Sequence, residues 1–515
     1  MHATEEVRNC NGKIVGFVID GKYETYSNVF DNIKWIENLK INSQGIIESI
    51  EDKLPIIDKR EINLRIYSEL CKENPYERDI QKQFEEWKKY FSNLALYVKG
   101  ARQIGKTTEL KKFAYKNYEN IVYINLSDIK ERKEFEKVCN SNSIRFAMMN
   151  YCKEMGQEDF EDIDNTILVI DEIQESVNVY NSIRKLRAEL KCKIALSGSY
   201  LGVTLNKEYF LPVGDLCDVE MLSLSFSEFC RLYGADDILM NINLYGEGND
   251  EDYKKLTKLY RIYREIGGYP AVIKEYLIYE DVEKCHKVLE YIINKFTDES
   301  SRYFNDDKCA EIFRSVYTNT LLNMSKEKKG SAAKDIETIT EFVKKSTKLF
   351  VSRDEVNKAM SWLVYSHILG TCNLINQGNV YEILYDRRCY FMDCGIANHI
   401  AKNSTISNSD IDGLLAENFV YTELYRLYKN SNIKGDKPCC SIYGNYELDF
   451  MIVDENDNKL GIEVKNSNSN NPISLIKFLE DKKIDEGYIA GVTRGGVRKE
   501  YKAIPIYTVG CRFPY

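Results

Sequence analysis

Gly100-Ala101-Arg102-Gln103-Ile104-Gly105-Lys106-Thr107 is a G-x-x-x-x-G-K-[ST] run, and few short strings constrain a fold so tightly. Its glycines let the backbone curl until successive N–H groups converge on one anion. The preceding residues, Leu94-Ala95-Leu96-Tyr97-Val98-Lys99, are short and mostly apolar, as a buried parallel strand should be. The following residues, from Thr107 to Tyr115, read as a helix. Strand, glycine loop and helix together predict a phosphate cradle. The backbone of Gly100, Ala101, Arg102, Gln103, Ile104, Gly105, Lys106, Thr107 and Thr108 is expected to wrap the phosphates of ATP. Lys106 would neutralise the β- and γ-phosphates, and the Thr107 hydroxyl would ligate Mg²⁺.

A second run agrees with the first. Thr166-Ile167-Leu168-Val169-Ile170 is β-branched and apolar, and it ends in Asp171-Glu172. A buried strand that delivers acids at its C-terminal end is a Walker B arrangement. Asp171 would hold Mg²⁺ through water, and Glu172 would polarise the attacking water as the catalytic base. A third strand, Lys193-Ile194-Ala195-Leu196, ends at Ser197-Gly198-Ser199. There Ser197 either touches the γ-phosphate or its water, or forms an ordinary strand-to-loop turn.

Composition narrows the class. The chain has 515 residues, enough for several domains, and is 43% hydrophobic and 29% charged, as a globular protein is. Its 15 cysteines are scattered, with Cys439-Cys440 the only close pair and no C-x-x-C spacing. Free thiols beside a phosphate loop fit a reducing cytoplasm. No basic-then-apolar leader opens the sequence, and no run approaches a membrane span, so no membrane partner is expected. The net charge of −9 argues against a uniformly basic coat for nucleic acid but leaves room for a local basic groove.

The expected organisation has five parts. Residues 1–60 form a small appended unit with a hairpin turn at Asp20-Gly21, to which no function attaches. Residues 61–93 are lead-in helices. The α/β nucleotide-binding core spans 94–280, with parallel strands near 94–99, 121–126, 167–171, 193–197 and 219–224. Ile266-Gly267-Gly268-Tyr269-Pro270 near its end breaks one helix and opens the next. Residues 281–405 are helical. A capping box at Ser352-Arg353-Asp354-Glu355 and strand-like pieces around Asn376-Gln377-Gly378-Asn379 suggest a winged-helix-like unit. Residues 406–515 form a further α/β domain.

These strings together resemble a prokaryotic family of AAA-type P-loop ATPases. The similarity is carried by Gly100 to Thr108, Ile170-Asp171-Glu172-Ile173-Gln174, Leu196-Ser197-Gly198-Ser199, Leu224-Ser225-Phe226-Ser227-Glu228-Phe229 and Gly267-Gly268-Tyr269-Pro270. Tyr390-Phe391-Met392-Asp393-Cys394-Gly395, Glu417-Asn418-Phe419-Val420 and Glu463-Val464-Lys465 extend it. The resemblance covers about residues 85–515 and implies a C-terminal domain of restriction-endonuclease-like, or PD-(D/E)XK, fold. Two positions depart from the family pattern. Gly214-Asp215 stands where an arginine able to act on a neighbouring subunit often lies, leaving Arg184 and Arg187 as substitutes, and Ser223 replaces a proline.

The C-terminal residues carry a chemistry of their own. Tyr446–Val453 and Lys459–Lys465 read as a hairpin around Asn456, which sets Asp449 opposite Glu463 and Glu447 opposite Lys465. Two facing carboxylates repel unless a cation lies between them, and Mg²⁺ suits such a pair. Asp449 and Glu463 are therefore expected metal ligands, with Glu417 a third and Lys465 orienting the attacking water. Glu447 and Lys465 could equally make an ordinary cross-strand ion pair. Between Gly413 and Tyr515 there are 14 acidic and 14 basic residues, so this part is neutral. Lys482, Lys483, Arg494, Arg498, Lys499 and Lys502 line a phosphate-tracking groove or are plain surface charge. Two functions stay open. One is an ATP-driven enzyme that binds or cuts DNA or RNA. The other is an ATP-dependent switch or partner-binding protein whose catalytically inactive nuclease-like domain only recognises a partner. Either could form homo-oligomers.

Overall fold

The computed structural model describes residues 3–8, 14–19, 22–25, 59–157, 159–199, 214–303, short helical pieces between 311 and 347, 351–376, 379–404, 407–429, 433–465 and 472–512. The chain divides into two units, Met1–Arg65 and Ile66–Tyr515. The first holds a three-stranded antiparallel sheet of β1 (Ala3–Arg8), β2 (Ile14–Ile19) and β3 (Lys22–Thr25). Its β2–β3 hairpin pairs Gly16 with Thr25 and Ile19 with Lys22. The Asp20-Gly21 turn itself lies outside the described residues.

Helices α1 (Lys59–Glu73) and α2 (Ile80–Glu86) precede the nucleotide-binding sheet. That sheet then builds by alternation: β4 (Ala95–Lys99), α3 (Lys106–Asn117), β5 (Asn120–Asn125), α4 (Ile129–Asn140), α5 (Ile144–Glu154) and β6 (Thr166–Asp171). It continues with α6 (Val177–Asn181), α7 (Ile183–Glu189), β7 (Lys193–Gly198) and β8 (Leu216–Glu220). The five strands are parallel in the order β5-β6-β7-β4-β8. Both faces are covered, which explains the near-continuous apolar runs. Along β4, Leu96 and Val98 enter one core while Ala95 and Tyr97 enter the other. The same alternation sends Ile167 and Val169 of β6 one way and Leu168 and Ile170 the other.

The strand expected over 219–224 ends at Glu220 instead. The backbone after it is committed elsewhere. Met221 N–H donates to the Lys99 carbonyl at 2.7 Å, and Leu224 N–H donates to the Gly268 carbonyl at 2.8 Å. Ser225 then opens α8 (Phe226–Leu232) with a capping box to Glu228. Four helices follow: α9 (Asp236–Asn241), α10 (Asp250–Ile266), α11 (Pro270–Tyr279) and α12 (Val282–Tyr303). Gly267, at φ 75°, ends α10, and Pro270 opens α11.

The Ser352–Glu355 capping box starts α13 (Arg353–Tyr365), followed by β9 (Leu369–Asn376) and β10 (Asn379–Phe391). Gln377 and Gly378 lie outside the described residues. Then come α14 (Cys394–Lys402), α15 (Asn408–Lys429), β11 (Lys434–Tyr443), β12 (Tyr446–Val453) and β13 (Lys459–Lys465). The chain finishes with α16 (Ile473–Glu480), β14 (Glu486–Gly491), β15 (Gly496–Val497), β16 (Lys502–Pro505) and α17 (Val509–Arg512). One eight-stranded sheet runs β10-β9-β11-β12-β13-β14-β16-β15. The helix-then-hairpin at 353–391 is thus no separate winged-helix-like unit. Its strand β9 pairs in parallel with β11, Cys439 against Asn373 through Ile442 against Asn376, so the sheet crosses the boundary expected at 405. No described helix is long and apolar enough to cross a membrane.

Candidate nucleotide site and its link to the C-terminal sheet

The loop after β4 turns at Gly100, where φ is 150° and an added Cβ would lie 2.1 Å from the Met221 carbonyl oxygen. Gln103 and Gly105 both adopt positive φ, 62° and 94°, on either side of the buried Ile104. This geometry folds the loop back on itself and starts α3 at Lys106. The Lys106 ammonium is buried and donates to the carbonyls of Gly100 at 3.0 Å and Ala101 at 2.7 Å. A cation held by loop carbonyls can turn outward toward a phosphate without crossing a core.

Asp171, at the end of β6, gathers three hydroxyls. Thr107 Oγ1 donates to Oδ2 at 2.8 Å, Tyr123 Oη donates to the same oxygen at 2.7 Å, and Ser197 Oγ donates to Oδ1. Burial, with Asp171 beside it, pushes the Tyr123 hydroxyl far above its ordinary pKa, so it remains a donor. Thr107 and Asp171 thus bring a hydroxyl and a carboxylate oxygen within reach of one hard cation, and this donor set fits Mg²⁺. Tyr123 had no motif to announce it. Its place on the strand beside β6 was the available signal.

Glu172 sits at φ 55° and receives the Gln174 side-chain amide. It opens onto a cavity of about 500 Å³ whose lining includes Arg102, Gln103, Gly105, Lys106, Thr107 and Thr108. The opposite wall is made by Asn74, Tyr76, Pro270, Ala271 and Lys274. Ser197 stands behind Asp171 and is not among these lining residues. Beside Arg102 and Lys106, Lys274 adds a third cation, from α11, that the motifs did not indicate. Tyr76 Oη donates to the Pro270 carbonyl at 2.8 Å, tying the lead-in segment to that wall. The two candidate arginines are already engaged. Arg184 Nε donates to Asp215 Oδ2 at 2.7 Å, and Arg187 donates to Asp215 Oδ1.

The wall that carries Pro270 leads directly to the C-terminal sheet. Asp393, buried at the end of β10, caps α14 through Oδ1, which accepts from the Gly395 and Ile396 N–H groups. Its Oδ2 accepts the Gly268 N–H at 2.8 Å. Burial raises the Asp393 carboxyl, and these backbone donors oppose that. Two backbone approaches tighten the joint. A Cβ on Gly268 would meet the Leu224 carbonyl oxygen at 2.2 Å, and one on Gly395 would meet the Ile266 carbonyl oxygen at 2.2 Å.

In the C-terminal hairpin, Phe450 pairs with Ile462 and Val453 with Lys459, a register that runs Asp449 toward Glu463. Asp449 Oδ2 accepts the Val464 N–H at 2.8 Å. Lys465 Nζ lies 2.6 Å from Glu463 Oε1, while Glu463 Oε2 is buried with no hydrogen-bond partner. Glu417 does not join them. It lies inside α15. Its Oε1 accepts from Tyr390 Oη at 2.7 Å and from Arg388 Nη1 at 3.1 Å. Arg388 Nη2 reaches Glu447 Oε1 at 2.5 Å, which replaces the ion pair envisaged between Glu447 and Lys465. Burial works against the Arg388 charge, but Tyr390, Glu417 and Glu447 outweigh it and raise its pKa further. No three acidic, histidine or cysteine side chains gather as a metal site among the described residues. The expected set of Glu417, Asp449 and Glu463 is therefore not assembled, because a guanidinium holds Glu417. The basic groove is likewise partly spent. Arg494 donates to the Gly246 and Gly248 carbonyls, and Lys502 pairs with Glu486 at 2.8 Å.

Comparison with known proteins agrees with the first half of this geometry. Residues 92–230 match the AAA domain family. Residues 257–407 and 412–509 match two domains of unknown function, DUF8612 and DUF4143. No curated protein matches the chain. Among solved structures, the Thermotoga maritima RuvB Holliday junction branch migration motor is 15% identical, over 57% of this chain and 89% of its own, with a TM-score of 0.26. The Aeropyrum pernix ORC1 protein in complex with DNA is 13% identical, over 71% of this chain and 93% of its own, also at 0.26. The phosphate loop, the five-stranded parallel sheet and the family match together make residues 92–230 an AAA-type P-loop ATPase domain.

Proposed function

We propose that this chain is a Mg-ATP-hydrolysing switch whose nucleotide state is passed to its C-terminal sheet, where a partner is recognised. Lys106 turns from its loop carbonyls to the β- and γ-phosphates, and the N–H groups from Gly100 to Thr108 hold the remaining oxygens. Thr107 and, through water, Asp171 would hold Mg²⁺, which would neutralise charge developing on the phosphates. Glu172 accepts a proton from the attacking water, and Ser197 keeps Asp171 oriented. Lys274 closes on the γ-phosphate from the α11 wall. Hydrolysis removes that contact, and α11 relaxes.

The observation that favours a switch over a nuclease is the Arg388 guanidinium between Glu417 and Glu447. A cation already neutralises Glu417, the third carboxylate that a metal-dependent nuclease would need for its own ion. The test is plasmid nicking with Mg²⁺ or Mn²⁺, with and without ATP. Persistent absence of nicking alongside intact ATPase activity is expected. Nicking that disappears in Asp449→Ala would overturn the reading.

The second reading, a nucleic-acid-cutting enzyme, is favoured by one feature. Glu463 Oε2 is buried without a hydrogen-bond partner, next to Lys465 and toward Asp449. Two carboxylates could hold one divalent ion, with Lys465 orienting the attacking water. A Mn²⁺ titration followed by electron paramagnetic resonance, comparing the parent with Glu463→Gln, separates the two.

A further inference from the structure

We infer that α10 and the loop after β14 form a second site, a cleft that holds the phosphodiester backbone of a nucleic-acid strand. The cleft has a volume of about 720 Å³ and shares no lining residue with the nucleotide cavity. Lys254, Lys258 and Arg261 line it from α10. Spacings of four and three residues put all three on one helical face. They cover about 10 Å of helix axis, longer than a single phosphate.

The charges in the cleft do not cancel. Its two acids are already paired with cations: Asp250 with Arg494 at 2.5 Å and Glu265 with Lys402 at 2.6 Å. Lys254 makes only an exposed contact to Glu251 one turn away, at 2.8 Å. Such a contact is screened and readily exchanged. Lys258 and Arg261 are exposed and make no ion pair among the described residues. The cleft therefore carries a positive excess on a chain whose net charge is −9. A local excess against an acidic background is the pattern of a site rather than of a generally basic protein.

The far wall suits the same ligand. Thr493 contributes a hydroxyl, and Tyr276 of α11 contributes a half-buried aromatic ring to the lining. Hydroxyls accept a place beside phosphate oxygens, and a tyrosine ring can stack on a base. Arg494 fixes this wall to α10 through Asp250 and the carbonyls of Gly246 and Gly248, so both sides of the cleft are held in register. Tyr276 belongs to the same helix as Pro270 and Lys274 of the nucleotide cavity. The two sites are therefore read by one helix.

The test is fluorescence anisotropy of a labelled single-stranded oligonucleotide, with a duplex of the same sequence in a second arm and labelled polyglutamate in a third. The full chain is compared with Lys258→Glu/Arg261→Glu. The expected result is strand binding that weakens at least about tenfold in the double variant, with a salt slope shallower by roughly two. ATPase activity without nucleic acid should be unchanged, which shows that the variant folds. Equal binding by parent and variant would overturn the site, as would no nucleic-acid binding by the parent. Binding of polyglutamate in preference to both oligonucleotides would assign the cleft to an acidic protein segment and overturn the inference. None of these outcomes depends on hydrolysis, since Lys106→Ala can be measured in the same assay.

Discussion

The N–H of Gly268 donates to Oδ2 of Asp393 across 2.8 Å, joining residues 125 positions apart in sequence. Gly268 stands two residues before Pro270, in the wall of the nucleotide cavity, and Asp393 stands where β10 of the C-terminal sheet turns into α14. One carboxylate therefore caps a helix of one region and holds the backbone of the other.

Replacing Asp393 with Asn separates those duties. An amide has one oxygen, so it can cap α14 or accept from Gly268 but not hold both contacts. A buried donor left without a partner costs about 1–3 kcal/mol. Asp393→Asn is expected to remain folded with a lower melting temperature. ATP-dependent changes in proteolytic cleavage of the C-terminal region should disappear in it while ATP binding persists. A variant whose cleavage pattern still follows ATP would remove this contact from the coupling.

Lys106→Ala should weaken ATP binding by about 10- to 100-fold, the range for losing a charge-assisted contact of roughly 1.5–3 kcal/mol. Glu172→Gln should bind ATP normally and hydrolyse it roughly a hundredfold more slowly. Isothermal titration and a phosphate-release assay distinguish the two. Normal turnover in either variant would contradict its assigned role.

Removing Arg388 leaves Glu417 buried beside Tyr390 with no cation. Arg388→Met is expected to cost about 3–5 kcal/mol, as broken buried ion pairs do. Adding Glu417→Gln should restore much of that. Denaturant unfolding of the single and double variants reads the difference directly. A neutral Arg388→Met would mean that the pair contributes nothing to the fold.

Glu220 gives a pH signature. Burial raises its carboxyl, but His367 at 2.9 Å, Lys429 at 3.1 Å and Tyr425 at 2.8 Å outweigh this and bring it down to about 2. A carboxyl lowered from 4.5 in the unfolded chain stabilises the fold above that value. The stabilisation falls away as pH drops through the folded value. Between pH 4.5 and about 2 the parent should lose stability more steeply than Glu220→Gln. Parallel curves for the two proteins would show that the cluster does not stabilise the carboxylate.

The nucleotide-binding half was legible because its signals are local. A glycine loop between a strand and a helix, and a strand ending in Asp171-Glu172, each describe one stretch of chain. The hairpin register was legible too, since period-two alternation about Asn456 leaves little freedom. What escaped was long-range. Arg388 lies in a strand without a motif, and its partners Glu417 and Glu447 are 29 and 59 residues away. The parallel pairing of β9 with β11 depends on which edge of a hairpin is left open, and no residue pattern states that. Gly267-Gly268 and Asp393 stood out as separate strings. Only the folded chain makes them one contact.

At Gly268 against Leu224, and at Gly395 against Ile266, main chain lies directly on main chain with no side chain between them. Rotamers are what usually let a protein absorb a small displacement before it travels. Here there are none to turn, so a shift of α11 by a fraction of an ångström has to be handed on whole, as in a linkage machined without backlash.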